Sequence, residues 1–362
     1  MRILSSTLVA AALAVALSAC CKATPPPAAP VAPTPVAEET PAPDPEAEKA
    51  RLEAERLAQE QAAAEAKAAE AKAKAAQQLA AAYAEFEADN AKEVARWTPE
   101  LHTSTQALVN KKYPNLKAAL TAILKSPMRM PGNAERDAYR HPLETLTFFG
   151  IKQNMSVVEM GAGGGWYTEI LGALVAKSGQ LTVAAPDPDG PADSGRTLYG
   201  KRVAALFAKS PELFGKAKMA IVAPPEQLAL GTDASADMVL AIREMHNWHR
   251  RGLIPAYLKA IHAVLKPGGV FGVVQHRAAA DGNADETAQK GYLPEAWLIA
   301  QIEAAGFKLA AKSEINANAK DTKNYGNGVW SLPPVYAGGE VDKETYKAIG
   351  ESDRMTLRFV KQ

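Results

Sequence analysis

The chain has 362 residues, a formal net charge of +1, 47% hydrophobic and 22% charged residues. That balance excludes a strongly basic nucleic-acid surface, and no basic stripe interleaved with aromatics takes its place, so nucleic acid is not an expected partner. The only cysteines are the adjacent Cys20 and Cys21, which excludes a disulfide framework, a cysteine nucleophile and a thiolate metal site from the rest of the chain.

Arg2 is followed by an apolar run from Ile3 to Ala19. A charged start and a short hydrophobic stretch ending in small residues predict a secretory signal rather than a membrane span. Its last four residues, Leu17-Ser18-Ala19-Cys20, resemble the lipobox of bacterial lipoproteins. That resemblance implies cleavage after residue 19, lipidation of Cys20, and anchoring at the periplasmic face of the outer membrane. Residues 20–45, mostly proline and alanine, predict an extended linker with no fixed fold. Residues 46–96 are rich in Ala, Glu, Lys and Gln without glycine or proline. They predict a helical stalk of about 75 Å, with Ala-rich self-association as the alternative to a solvated single helix. Branched aliphatics, glycines and aromatics occur together only from Trp97 onward. That leaves roughly 265 residues (97–362) for one large α/β domain.

The most informative stretch runs from Val157 to Trp166. A short apolar strand ends in Glu159-Met160-Gly161-Ala162-Gly163-Gly164-Gly165, and a helical pattern follows from Trp166 to Lys177. Such glycines let the backbone turn sharply and approach a ligand closely, and the helix N-terminus offers free N–H groups. A dinucleotide fingerprint requires a sixth-position glycine where this chain has Trp166. The pattern E-x-G-x-G-x-G resembles motif I of class I S-adenosylmethionine (SAM) methyltransferases. The resemblance implies SAM as cofactor, with Gly161, Gly163 and Gly165 passing under its methionine part and Glu159 among the cofactor-binding residues.

Further strand-like runs occur near 180–185, 217–222, 237–242, 269–275, 307–315 and 354–360. Helix-length segments separate most of them, a spacing that predicts an α/β Rossmann-like sheet. Seven strands, mostly parallel with an antiparallel last pair, is the methyltransferase count. Residues 265–269 predict the turn before the fifth strand. More narrowly, residues 125–362 resemble a family of predicted bacterial envelope methyltransferases. The matching stretches are Arg136–Pro142, the glycine loop, Met245–His249, Gln275–Arg277 and Glu351–Met355. In class I enzymes the second strand ends in a carboxylate for the ribose. Here that slot falls at Ala185, leaving Asp187 either as a displaced ribose ligand or as a turn residue in Pro-Asp-Pro-Asp-Gly.

Ligands of open α/β sheets bind at the strand C-termini. The segments expected there carry Arg136, Arg140, His141, Arg243, Glu244, Asn247, Arg277, Asp353 and Arg354, besides His246, His249 and His276. A histidine base is chemically reasonable, with His246 first and His249 or His276 next; the alternative is that these imidazoles only lock the loops. No metal is assigned. Two functions follow: transfer of a methyl group from SAM to a small molecule or envelope acceptor, or non-catalytic ligand binding on the same scaffold.

Overall fold

A computed structural model describes residues 44–362. The expected signal, Cys20 and nearly all of the linker lie outside the described residues. Among the described residues, five α-helices precede the first strand: α1 (Pro45–Arg96), α2 (Pro99–Asn110), α3 (Leu116–Leu124), α4 (Asp137–Arg140) and α5 (Pro142–Phe149). Then come β1 (Ser156–Met160), α6 (Trp166–Val175), β2 (Gln180–Ala185), α7 (Gly195–Lys209), α8 (Pro211–Phe214) and β3 (Lys218–Ile221). The second half comprises β4 (Ala236–Ile242), α9 (Met245–Arg250), α10 (Ile254–Val264), β5 (Leu265–His276), α11 (Ala284–Gln289), α12 (Glu295–Ala304), β6 (Phe307–Ser313), α13 (Lys343–Ile349) and β7 (Arg354–Lys361).

The strands form one sheet in the order β3-β2-β1-β4-β5-β7-β6. Pairing is parallel from β3 to β5, and β7 runs antiparallel to both β5 and β6. This is the Rossmann-like seven-stranded sheet expected from the sequence. Its order reverses between β1 and β4, which puts a crevice at their C-terminal ends. One local expectation changes. Leu265 already pairs with Ala236, and the ladder resumes at Val270 opposite Met238, so Pro267-Gly268-Gly269 is an irregularity within β5 instead of a turn before it.

Strand side chains alternate between faces. Val157, Val183, Leu240 and Val274 face a core built with α3, α5 and α6. Val158, Ala184, Val239 and Phe271 face a second core built with α9, α10 and α12. Both faces of the central strands are therefore apolar, as a parallel sheet covered on both sides requires. All ten residues of α6 are buried. A Cβ at Gly172 would lie 2.5 Å from the Phe214 ring, so this glycine is what lets α6 and α8 touch.

Helix α1 begins as an exposed run up to Ala66, with surface ion pairs such as Arg51–Glu55 at 2.8 Å. A compact unit spans Lys67–Gln362. Within it the last turns of α1 are bonded to the sheet domain. Tyr83 donates to the Ser194 carbonyl at 3.2 Å, and Arg96 donates to the Pro127 carbonyl at 2.6 Å. Buried Glu93 accepts from Lys209 at 2.8 Å and from Trp97 Nε1 at 3.1 Å. Burial alone would raise this carboxyl, but Arg96 and Lys209 hold it down at about 2.

Phe271 is fully buried, with the rings of Phe307 and Phe359 at 5.5 and 6.3 Å. Phe271→Ala is expected to lower unfolding stability by about 3–5 kcal/mol. Urea denaturation of the purified protein measures this, and a loss under about 1 kcal/mol would contradict the packing described.

Candidate functional site at the glycine loop

The site grows from the end of β1. Alternation turns Val158 and Met160 to one face and Val157 and Glu159 to the other, so Glu159 is carried beneath the glycine loop toward α6. The loop then needs glycine at two positions for clear reasons. Gly161 has φ +74°, and a Cβ there would come within 2.8 Å of the Glu244 side chain. Gly163 has φ +56° with nothing within 4 Å of where a Cβ would be, so its backbone borders open space. Gly165, also left-handed, caps the start of α6.

Three cavities adjoin this loop, and Ala162 and Gly163 line all of them. The first, about 440 Å³, lies over the ends of β1, β2 and β4, between Ala185, Tyr199, Glu244 and Trp248. Trp248 and Tyr257 stack there at 4.2 Å. The second, about 160 Å³, is lined by charge: Arg136, Arg140, Arg243, Glu159 and Glu244. The third, about 240 Å³, lies between the loop, α7 and the last turns of α1.

The small charged cavity has distinctive electrostatics. Glu159 is 2% exposed, and its Oε2 has no hydrogen-bond partner. Burial pushes its carboxyl up to about 7. Glu244, half-buried beside it, is also pushed up to about 7, by burial and by the neighbouring Glu159 charge against the pull of Arg243. Arg140 is 3% exposed; its Nε donates to Glu351 at 3.0 Å while its Nη1 is buried without a partner. Arg136 and Arg354 converge on the same Glu351 at 3.3 and 3.0 Å. Three guanidinium groups share one carboxylate, so the cluster retains positive charge, and Arg136 and Arg140 carry it to the cavity wall. Arg243 sits at the end of β4 with φ +61°, a left-handed conformation unusual for arginine, held by its N–H to the Val274 carbonyl at 2.7 Å.

Trp166 does not fill the cavity. It is buried with Nε1 donating to the Asn133 carbonyl at 2.8 Å, and the guanidiniums of Arg129 and Arg140 lie over its ring at 5.4 and 4.9 Å. Below it, Glu169 accepts from Arg129, from the Met130 N–H at 2.9 Å and from Asn133 at 3.0 Å.

The strand-end histidines do not gather at the glycine loop, and none of His246, His249 or His276 lines the three cavities. The reason is periodicity. Met245–Arg250 is helical, not a loop. Residues 244, 247, 248 and 251, at i, i+3, i+4 and i+7, face the cavity. His246 and His249 fall on other faces of that turn. His246 is buried and accepts from Gln275 at 3.3 Å, and burial pulls it down to about 4. His276 stacks edge-on against it at 5.7 Å, pairs with the Ser352 hydroxyl at 2.5 Å and is likewise lowered by burial. His249 pairs with Asp285 at 2.8 Å and packs on Trp297. Each of these imidazoles is thus engaged by a neighbouring side chain.

Asp187 is also apart from the cavity. It is exposed, its Oδ1 accepts the Asp189 N–H at 2.9 Å, and the wall at this point is Ala184, Ala185 and Pro186. Of the expected site residues the structure therefore brings Glu159, Gly161 and Gly163 to one cavity and Gly165 to an adjoining one. It adds Arg140 and Glu244, which the sequence placed only among polar loops, and Arg196 and Tyr199 of α7, for which no sequence signal existed.

No family model matches the chain, and no curated protein matches it. Solved structures do resemble it. A SAM-dependent methyltransferase from Aquifex aeolicus aligns at 14% identity over 67% of this chain and 98% of its own, with a TM-score of 0.41. The SpnF cyclase aligns at 18% identity over 64% and 83%, TM-score 0.41. The 1,6-didemethyltoxoflavin-N1-methyltransferase of Burkholderia thailandensis, solved with S-adenosylhomocysteine, aligns at 16% over 70% and 93%, TM-score 0.37. At such scores the functional reading rests on the site's own residues.

The titration of Glu159 is directly testable. The unfolded carboxyl ionises near ~4.3, whereas the folded one keeps its proton to about 7. The native state binds the extra proton, so its stability falls as pH rises through that window and is flat above it. Glu159→Gln is expected to gain about 3–4 kcal/mol relative to the parent protein between pH 4 and pH 8. Denaturation curves at the two pH values measure the gain, and an unchanged difference would contradict it.

Proposed function

We propose that the chain is a SAM-dependent methyltransferase whose cofactor lies across the two cavities on either side of Gly161. The observation that carries the reading is a pair of unsatisfied, buried and opposite charges, Glu159 Oε2 and Arg140 Nη1, on residues lining one small cavity. Leaving such groups unpaired costs stability unless a ligand supplies both partners. The ammonium and carboxylate of an amino acid do so, and SAM ends in that group. When bound, SAM supplies an electrophilic methyl group on a sulfonium centre.

The residues divide the work. Glu159 accepts the ammonium, and Arg140, supported by the Arg136–Glu351–Arg354 cluster, receives the carboxylate. The glycine backbone and the N-terminus of α6 provide close approach and free N–H groups. The larger cavity, with its stacked Trp248 and Tyr257, accommodates a flat base. Ala185 leaves the ribose position without a carboxylate, and Arg196, Tyr199 and Asn247 are the polar groups in its place. Glu244, packed on Gly161 and titrating near 7, is the base this geometry supports in place of the histidines. Anchoring at the envelope through Cys20 remains part of the reading, carried by the N-terminal sequence alone. Detergent-phase partitioning that Cys20→Ser abolishes would support it, and partitioning unaffected by that change would remove it.

Calorimetric titration with SAM and S-adenosylhomocysteine tests the cofactor site. Micromolar binding is expected, weakened about 10- to 100-fold in Glu159→Gln, the range for losing a charged hydrogen bond. Because Glu159 must ionise to accept an ammonium, affinity should drop about tenfold per pH unit below 7, and Glu159→Gln should flatten that slope. A folded protein giving no heat with either compound would end the methyltransferase reading.

A further inference from the structure

The amino-acid end of the cofactor engages Glu159 and Arg140 in the small charged cavity, which leaves Arg243 on the same wall. Its side chain forms no hydrogen bond or ion pair among the described residues. It is only half-buried and is not among the sealed, unpartnered groups, so its guanidinium borders open space. The backbone keeps it there in a left-handed conformation, φ +61°, which a side chain of this size rarely adopts.

The charges around Arg243 are mostly of its own sign. Burial, and then the Arg243 charge, lower the guanidiniums of Arg136 and Arg354 against the pull of Glu351. Glu351 pairs with Arg136, Arg140 and Arg354, and not with Arg243. The two carboxyls that feel the Arg243 charge, Glu159 and Glu244, are both held up to about 7 by burial. Neither is a full counter-ion at neutral pH. Arg136 lines the cavity too; it is engaged only through Nε, 3.3 Å from Glu351, and its side chain is 28% exposed. Two neighbouring guanidiniums thus repel each other across one cavity with N–H donors unused. An anion relieves that repulsion and takes those donors.

We propose that Arg243 and Arg136 bind an anionic group of the methyl acceptor, so that the acceptor is a small carboxylate or phosphate compound. The inference rests on the SAM reading above. Glu244 lines both this cavity and the larger one, so the proposed base borders the same space as the anion. Trp166, Tyr167 and Ile242 add apolar surface, and a cavity of about 160 Å³ encloses only a small part of a molecule. The acceptor's nucleophilic atom loses its proton to ionised Glu244 and takes the methyl as the carbon–sulfur bond breaks. S-adenosylhomocysteine, the methylated acceptor and protonated Glu244 remain.

The test is calorimetric titration of the full chain, saturated with S-adenosylhomocysteine at pH 8.5, where Glu159 is ionised. The probes are benzoate, phenyl phosphate and uncharged benzyl alcohol. At least one anion is expected to bind tenfold or more tightly than benzyl alcohol, and which one does so separates carboxylate from phosphate. Arg243→Asn, a residue that tolerates the left-handed backbone, should weaken that anion at least tenfold and leave benzyl alcohol unchanged. Arg243→Lys keeps the charge without the fork, and should weaken it only about threefold. Affinity for S-adenosylhomocysteine should stay within threefold in both variants. If neither anion outbinds benzyl alcohol, or if both variants bind the anion as the parent does, the anion site is not here and the cofactor reading stands. If the variants lose S-adenosylhomocysteine as steeply as the anion, Arg243 serves the cofactor and this inference fails. A parent protein that does not bind S-adenosylhomocysteine removes the cofactor reading itself, and this inference with it.

Discussion

Glu351 is the single carboxylate on which three arginines, Arg136, Arg140 and Arg354, converge from distant parts of the chain. It is 5% exposed, and removing a partner from such a cluster leaves a buried charge uncompensated, which is strongly destabilising. The cluster ties the segment before α5 to the start of β7, two stretches about 210 residues apart. Arg354 extends the tie by donating to the Tyr139 carbonyl at 2.7 Å. Because one anion is shared by three cations, the cluster also leaves positive charge over for a ligand. One arrangement thus fastens the fold and makes one end of the candidate site.

The neighbouring layer shows the same economy. Glu169 on α6 is buried, yet Arg129, Asn133 and the Met130 N–H satisfy it. Arg129 and Arg140 then flank Trp166, so the aromatic that follows the glycine loop is held between two cations instead of lying across the cavity. Among the described residues, the buried side-chain atoms of this layer without a partner are Glu159 Oε2, Arg140 Nη1, His141 Nδ1 and Thr168 Oγ1, and only the first two belong to residues lining the cavity. That contrast gives the unpartnered Glu159 and Arg140 atoms their meaning, since buried polar groups are ordinarily satisfied.

Helix α1 is two things in one element. Its first turns are exposed and carry only surface ion pairs, each worth little to stability. Its last turns carry Glu93, buried between Lys209, Arg96 and Trp97, and there the helix becomes part of the domain. Composition conceals the change, because an alanine-rich helix reads alike along its length while tertiary contacts begin only near its end.

The fold class was legible in the sequence for a local reason. Strand alternation, the glycine cluster after Glu159 and the spacing of apolar runs are properties of short segments, and the observed strands match them within a few residues. Glu159, Gly161 and Gly163 were legible for the same reason, since a strand end and a left-handed turn are encoded side by side. The rest of the site depends on rotation and distance. Whether His246 or Glu244 faces the cavity turns on one short helix after β4, where a shift of two residues is about half a turn. Whether Asp187 reaches the ribose position depends on the turn it makes with Asp189. The pairing of Arg140 with Glu351, and the placement of Phe86 opposite Leu206, join residues more than a hundred positions apart, so only packing of the whole sheet domain could decide them.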